Sequence, residues 1–230
     1  MGSSPNTNRI RIWRFSIGSE PTVGALQVLS DDERARAQRF HRDLNRNQWI
    51  ESRFQLRTAL AADVGLPAAE ICFGYGASGK PFLQNCGVGS PEFNLTHAGD
   101  VVLIAISDGP PVGVDVERVR ELPNMDSTAQ YAFAAGEYRQ FIATDQSERA
   151  KCFFDCWTRK EAVLKAFGTG LSGLKQLDLY AADVVRVEAT TQCTNEGGWQ
   201  VQSLDLPGEY VGAVAVVGSM NPFEVTYVEC

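Results

Sequence analysis

Phe93-Asn94-Leu95-Thr96-His97-Ala98-Gly99-Asp100-Val101-Val102-Leu103-Ile104-Ala105-Ile106-Ser107 runs through Asp108-Gly109-Pro110-Pro111 into Val112-Gly113-Val114-Asp115-Val116-Glu117. Three β-rich runs are split by two turn signals, Ala98-Gly99-Asp100 and Gly109-Pro110-Pro111, which predicts an antiparallel meander. The Gly-Pro-Pro turn sits near the middle of the 230 residues. It suggests a boundary between two halves, 1–109 and 110–230.

Outward from this stretch, each half shows the same recipe. On the N-terminal side, Arg9 to Phe15 alternates basic with apolar residues, the period of a half-buried strand. Ser30-Asp31-Asp32-Glu33 predicts a helix start with a capping box. A longer helix is expected from about Asn45 to Val64, stopped by Gly65 and Pro67, with Trp49, Leu56 and Leu60 along one face. On the C-terminal side, short helices over 127–135 and 136–143 precede a long one from Ser147 to Phe167. Strands are then expected over 177–180, 184–189, 199–204 and 210–217. Helices with small antiparallel sheets place the chain in the α+β class.

Composition narrows the function. Hydrophobic residues make up 44% and charged residues 21%, as in an ordinary globular protein. The net charge of −7 disfavours broad nucleic-acid or membrane-surface binding. None of the six cysteines forms a C-x-x-C pair, and no stretch has the length of a membrane span or the apolar core of a signal peptide, which predicts a soluble cytoplasmic protein. Two G-x-G-x-x-G matches, Gly74 to Gly79 and Gly168 to Gly173, lack the strand-then-helix context of a dinucleotide site. They read as flexible turns whose amides, in the first case beside Lys80, are available to phosphate.

The chemistry concentrates elsewhere. Asp115 and Glu117 stand two apart on a strand and therefore share a face, where two like charges call for a hard cation such as Mg²⁺ or Mn²⁺. A solvated strand edge neutralised by Arg118 and Arg120 is the plainer alternative. Glu161 and Lys165 are i, i+4 on the long second helix. They read either as a surface ion pair or as part of a site that includes Trp157 one turn earlier. His97 ends a strand at a loop tip. Arg34, Arg36, Arg39, Arg42, Arg46, Arg53 and Arg57 make seven of the 21 basic residues of an acidic protein. They form either a solvated face or a phosphate-binding surface.

These motifs, in this order, resemble the 4′-phosphopantetheinyl transferase superfamily in its monomeric surfactin-synthetase-activating class. Phe93 to His97 is similar to its F-N-(V/I/L)-(S/T)-H segment, Gly113 to Glu117 to G-(I/V)-D-(I/V)-E, and Trp157 to Leu171 to W-x-x-K-E-(A/S)-x-x-K-x-x-G-x-G-L. Gly79-Lys80-Pro81 and the arginine-bearing helices fit as well. The resemblance spans about residues 29–180.

The resemblance implies a pseudo-twofold pair of similar subdomains, each a small antiparallel sheet packed on a long helix, with coenzyme A between them. It implies a monomer that moves the phosphopantetheine arm to a serine of an apo acyl or peptidyl carrier protein. Asp115, Glu117 and Glu161 would hold Mg²⁺, Glu117 least securely. Glu161 would act as general base, directly or through water. Lys165 would stabilise charge on the pyrophosphate, and His97 would contact a coenzyme A phosphate. Arg42, Thr96 and the turn Tyr75, Gly76, Ala77, Ser78, Gly79 and Lys80 would border the cofactor. A carrier contact is expected between Arg118 and Phe133, around Leu122, Met125 and Tyr131. Read from the residues alone, a Mg²⁺-dependent nucleotide or phosphate hydrolase and a non-catalytic coenzyme A-binding module stay open.

Overall fold

The structure is a computed structural model that describes residues 8–77, 79–84, 86–87, 89–168, 174–179, 185–187, 198–217 and 223–228. In the first half, strand β1 (Asn8–Ser16) leads to helices α1 (Ala25–Val28), α2 (Asp31–Ala37) and α3 (Asp43–Val64). A hairpin of β2 (Phe73–Tyr75) and β3 (Pro81–Leu83) precedes β4 (Glu92–Ala98) and β5 (Val101–Ser107). The second half runs β6 (Val112–Arg118), α4 (Met125–Ala132), α5 (Ala135–Ala143) and α6 (Gln146–Phe167). It ends with β7 (Val185–Val187), β8 (Trp199–Leu204), β9 (Tyr210–Val217) and β10 (Phe223–Val228).

Two four-stranded sheets result, ordered β10-β1-β5-β4 and β6-β9-β8-β7. The expected meander therefore holds only from β4 to β5. After Ser107 the chain leaves the first sheet, and β6 pairs antiparallel with β9. Pro110 and Pro111 have no N–H to extend a ladder, so the turn redirects the chain instead of closing a third hairpin. The last strand, outside the sequence expectation, returns to pair in parallel with β1. The strand expected at 177–180 is absent from its described residues, and the second glycine turn lies outside the described residues beyond Gly168.

Period-two burial fixes the layering. On β5, Val102, Ile104 and Ile106 pack under Leu56, Ala59 and Leu60 of α3. Val101, Leu103 and Ala105 point the other way, against Val112, Val114 and Val116 of β6 and Val214 and Val216 of β9. Ala213, Ala215 and Val217 then pack under α6 with Ala162, Val163 and Ala166. The order is helix, sheet, sheet, helix, which explains why all of β5 is buried. Both long helices have 22 residues and end at a glycine of positive φ, Gly65 at 71° and Gly168 at 70°.

The arginine-rich helices divide in a way the sequence left open. Ser30 and Glu33 form the expected capping box. Glu33 is itself buried, however, and pairs with Arg53 at 2.6 Å and Arg57 at 2.7 Å. Both guanidiniums lie over the Phe73 ring, and Arg57 also donates to the carbonyls of Ala68 and Ile71. Arg34 and Arg46 pair with Asp31 and Asp43. The phosphate-surface reading thus fails for Arg53 and Arg57, which tie α2, α3 and β2 together. Removing Glu33 strands two buried cations, so Glu33→Ala should cost about 3–5 kcal/mol in denaturant unfolding. A loss under about 1 kcal/mol would show the triad to be dispensable.

Candidate active site

The site forms where the edge strand β4 of the first sheet meets the edge strand β6 of the second. Alternate side chains of β4 divide the work. Phe93 enters the first half's core, while Asn94 and Thr96 face the second half. The Asn94 Oδ1 accepts the Val114 N–H at 2.9 Å, so a side chain satisfies an edge amide that no strand reaches. The Thr96 hydroxyl donates to Asp115 Oδ1 at 3.1 Å. The sequence flagged this segment for His97 and Thr96 only. Asn94 is the residue it passed over.

Asp115 lies beneath α6 because of Gly113. A Cβ on Gly113 would fall on the Ala162 carbonyl oxygen and the Ala166 amide nitrogen, and 3.0 Å from the Lys165 carbonyl carbon. Only glycine lets the helix settle onto β6 at this point. One turn of α6 then presents Glu161 and Lys165 toward Asp115. The Lys165 Nζ stands 2.5 Å from Asp115 Oδ1 and 3.3 Å from the Thr96 hydroxyl, and donates to the Val114 carbonyl at 3.4 Å.

The electrostatics are those of a partly buried charged cluster around the buried Asp115. Burial above all, with Asp115 and Glu117 nearby, raises the Glu161 pKa from 4.5 to about 6, against the opposing pull of Lys165. Burial likewise raises that of Asp115, opposed by Lys165. His97, although exposed at the strand edge, is held below the usual histidine range by partial desolvation first and then by Lys165, with Glu117 opposing. At neutral pH its imidazole is uncharged. Asp115 Oδ2 and Glu161 Oε1 are both buried and accept no hydrogen bond. Two orphaned carboxylate oxygens on facing elements are what a hard cation satisfies. Among the described residues no three His, Cys, Asp or Glu side chains close into a metal cage.

Other expected residues fall at varying distances from this centre. Glu117 is half-buried and pairs with Arg120 at 3.0 Å. Arg118 turns away to Glu209. Gly76 and Gly79 commit their amides to a tight turn, bonding Lys80 O and Gly76 O at 2.9 Å, so those two are not open to phosphate. The Lys80 ammonium reaches across the seam to the carbonyls of Val112 (3.1 Å) and Ala166 (3.2 Å). Tyr75 is exposed beside Arg36 and Arg39 on a groove of about 520 Å³. Arg42 is exposed at the start of α3. Ala77 lies in the same turn, and Ser78 is outside the described residues. Of the apolar residues named in the expected carrier-contact segment, Met125 and Phe133 are buried, Leu122 is half-buried and Tyr131 is exposed.

One motif residue plays an unexpected part. Lys160, beside Glu161, is wholly buried, pairs with Glu137 at 2.7 Å, and donates to the carbonyls of Leu174 and Leu177. Glu137 also accepts the N–H groups of Ala134 and Leu179. The lysine in W-x-x-K-E thus anchors the chain that follows α6. An i, i+1 pair on a helix faces different surroundings, and that was the available signal.

Comparison with known proteins agrees with this geometry. Residues 111–215 match the 4′-phosphopantetheinyl transferase superfamily, and residues 16–108 match the 4′-phosphopantetheinyl transferase N-terminal family. The chain belongs to the 4′-phosphopantetheinyl transferase superfamily. It is 34% identical over 163 residues to a putative 4′-phosphopantetheinyl transferase of Synechocystis, covering 71% of this chain and 66% of that one. It is 29% identical over 215 residues to HetI of Nostoc, covering 92% and 89%. Sfp of Bacillus subtilis is 26% identical over 156 residues, covering 68% and 67%.

Two outcomes test the site. Gly113→Ala should lose at least about 2 kcal/mol in urea unfolding, because the clash is with helix backbone and no side chain can step aside. Stability near that of the parent would show that α6 is not held at this distance. Glu161, with a folded pKa above its unfolded value, stabilises fully only below about pH 4.5, and that contribution is lost as pH rises through about 6. Metal-free protein should therefore lose stability across that window, and Glu161→Gln should flatten the loss. Excess Mg²⁺ should raise Tm more at pH 8 than at pH 5, since its ligands must be deprotonated. Equal shifts at both pH values would exclude Glu161 as a ligand.

Proposed function

We propose that the chain is a Mg²⁺-dependent 4′-phosphopantetheinyl transferase of the surfactin-synthetase-activating class. It moves the phosphopantetheine arm of coenzyme A to a serine of an apo acyl or peptidyl carrier protein. The observation that carries this reading is the meeting of Thr96, Asp115, Glu161 and Lys165 in one seam, with two buried carboxylate oxygens left over. A monomer working in the cytoplasm fits the class. Among the described residues, no helix is long and apolar enough to cross a membrane.

Coenzyme A would lie along the seam with its pyrophosphate at Asp115 and its nucleotide toward the groove of Arg36, Arg39 and Tyr75. Arg42 and the turn from Tyr75 to Lys80 would border it. Asp115 and Glu161, with Glu117 in a supporting place, would hold Mg²⁺, which neutralises charge on the pyrophosphate when bound. The Lys165 ammonium, fixed by Thr96 and the Val114 carbonyl, faces the same oxygens. His97, neutral at pH 7, contributes a hydrogen bond to a phosphate oxygen.

The carrier serine Oγ attacks the β-phosphorus and forms the new P–O bond. The P–O bond to adenosine 3′,5′-bisphosphate breaks, and that product departs. Glu161 accepts the serine proton. In the metal-free protein burial raises the Glu161 pKa to about 6, which leaves it ionised at pH 7, the state a general base needs. Phosphoryl-type transfer asks little covalent help of a protein beyond this positioning and charge neutralisation.

The test incubates the protein with coenzyme A, Mg²⁺ and a panel of apo carriers and reads intact carrier mass. The carrier should gain one phosphopantetheine. Glu161→Gln should slow this by about 10²–10⁴-fold while still binding coenzyme A. Product release from coenzyme A without any acceptor would point to a hydrolase instead. Transfer by Glu161→Gln at the parent rate would remove the general-base assignment.

A further inference from the structure

We propose that Tyr210 is a positioning residue for coenzyme A. Its hydroxyl latches the β4–β5 turn to the second half and so sets where the His97 end of β4 lies beside the charged cluster. The inference rests on the transferase reading above and adds a residue that lies in none of the three motifs.

An edge strand is the reason a latch is needed. The outer side of β4 has no backbone ladder, so only side chains hold it to β6. Asn94 and Thr96 provide two such ties, to Val114 and Asp115. Beyond Thr96 come His97, which is exposed, and the turn Ala98-Gly99-Asp100. His97 experiences the charges of both Lys165 and Glu117, so it stands at the edge of the charged cluster. A third tie is needed to set how this end of β4, paired with β5 through His97 and Ala98, sits against the second half.

Tyr210, the first residue of β9, supplies that tie. Its hydroxyl donates to the Asp100 carboxylate and lies 3.4 Å from the Asp100 N–H, which donates back to it. A phenol on a carboxylate is a charge-assisted bond, stronger than a neutral one. This bond is the first cause holding the Asp100 pKa below the usual range. Gly99 has φ 56°, and a Cβ there would sit 2.5 Å from the Tyr210 hydroxyl oxygen. The turn is thus shaped for the tyrosine in both conformation and bulk.

Both ends of the latch are anchored. The residue before Tyr210, Glu209, pairs with Arg118 at 3.0 Å, and its carbonyl accepts the Val119 N–H at 2.7 Å. These bonds fix Tyr210 to the end of β6. On the other side, the Asp100 carbonyl accepts the Ile17 N–H at 2.7 Å, and the Gly99 carbonyl accepts from Gln48 at 3.1 Å. The turn is therefore rigid within the first half, and Tyr210 is what couples it to the second. His97 lies between the Thr96 and Tyr210 ties.

Four full-length proteins test this: the parent, Tyr210→Phe, Asp100→Ala and Asp100→Asn. Transfer kinetics give kcat and KM for coenzyme A and for an apo carrier, with thermal unfolding measured alongside. Tyr210→Phe and Asp100→Ala should raise KM for coenzyme A about tenfold, with little change in KM for the carrier and Tm within a few degrees. Asp100→Asn keeps an acceptor for the hydroxyl and should stay near the parent. An unchanged KM for coenzyme A in Tyr210→Phe overturns the proposal. So does a parallel worsening of both KM values that follows Tm, since that is what a merely structural contact would give. A parent that binds coenzyme A without transferring it sinks the transferase reading alone. The latch is then judged by calorimetric Kd for coenzyme A across the same four proteins, where the same tenfold pattern supports it and its absence overturns it.

Discussion

The contact of Gly113 with the backbone of α6 sets the geometry on which the rest of the site depends. A helix usually rides on a sheet at the distance its side chains impose. Here one missing side chain lets α6 approach β6, and the consequence is chemical. Glu161 and Lys165 on the helix and Asp115 on the strand are brought within reach of each other, with Asp115 buried beneath the helix. Burial then raises both carboxyl pKa values and leaves two oxygens unsatisfied. Packing and reactivity have a single origin at this point.

The two halves are joined by a mixture of apolar and polar devices. The middle of the molecule is a layer of valines and isoleucines between two sheets, which resists shear but carries no directional information. Direction comes from the seam beside it, where β4 and β6 run along each other as edge strands. Asn94 and Thr96 reach across, Lys80 grips the Val112 carbonyl of β6 and the Ala166 carbonyl near the end of α6, and Tyr210 holds the turn. Tyr227 adds a further tie on the far edge, its hydroxyl accepting the Asp205 N–H at 3.0 Å. Each bond alone is modest. Together they hold two sheets in one register, as a site assembled from both halves requires.

Buried ion pairs do the corresponding work inside each half. Glu33 with Arg53 and Arg57 locks the arginine-bearing helices, and Glu137 with Lys160 locks the chain after α6. Neither lies in the reacting cluster. Both occupy sequence neighbourhoods that also hold functional residues, which is why a pattern of charges along the chain mixed the two. Arg36 and Arg39 stay at the surface, while Arg53 and Arg57, on the next helix, do not.

Local rules determined much of this protein from the sequence alone. The capping box at Ser30 and Glu33, the glycine stops at 65 and 168, and the strands at 101–107, 199–204 and 210–217 depend on nearest neighbours and period, and those are written in the chain. The ordered motifs also told which carboxylates, lysine and histidine to watch. Only the tertiary structure decided where β6 pairs, that β10 returns to β1, and that Lys160 and Arg57 are internal while Glu161 and Arg36 are not. These outcomes depend on which surfaces meet between distant parts of the chain, about a hundred residues for β6 with β9 and about two hundred for β1 with β10. A one-dimensional pattern gives the face a side chain takes on its own element, but the partner against that face is fixed by packing. Asn94 and Tyr210 belong to that second class. Asn94 stands in a motif that assigned it no role, nothing in the chain marks Tyr210, and the part each plays appears only once two strand edges and a turn are brought together.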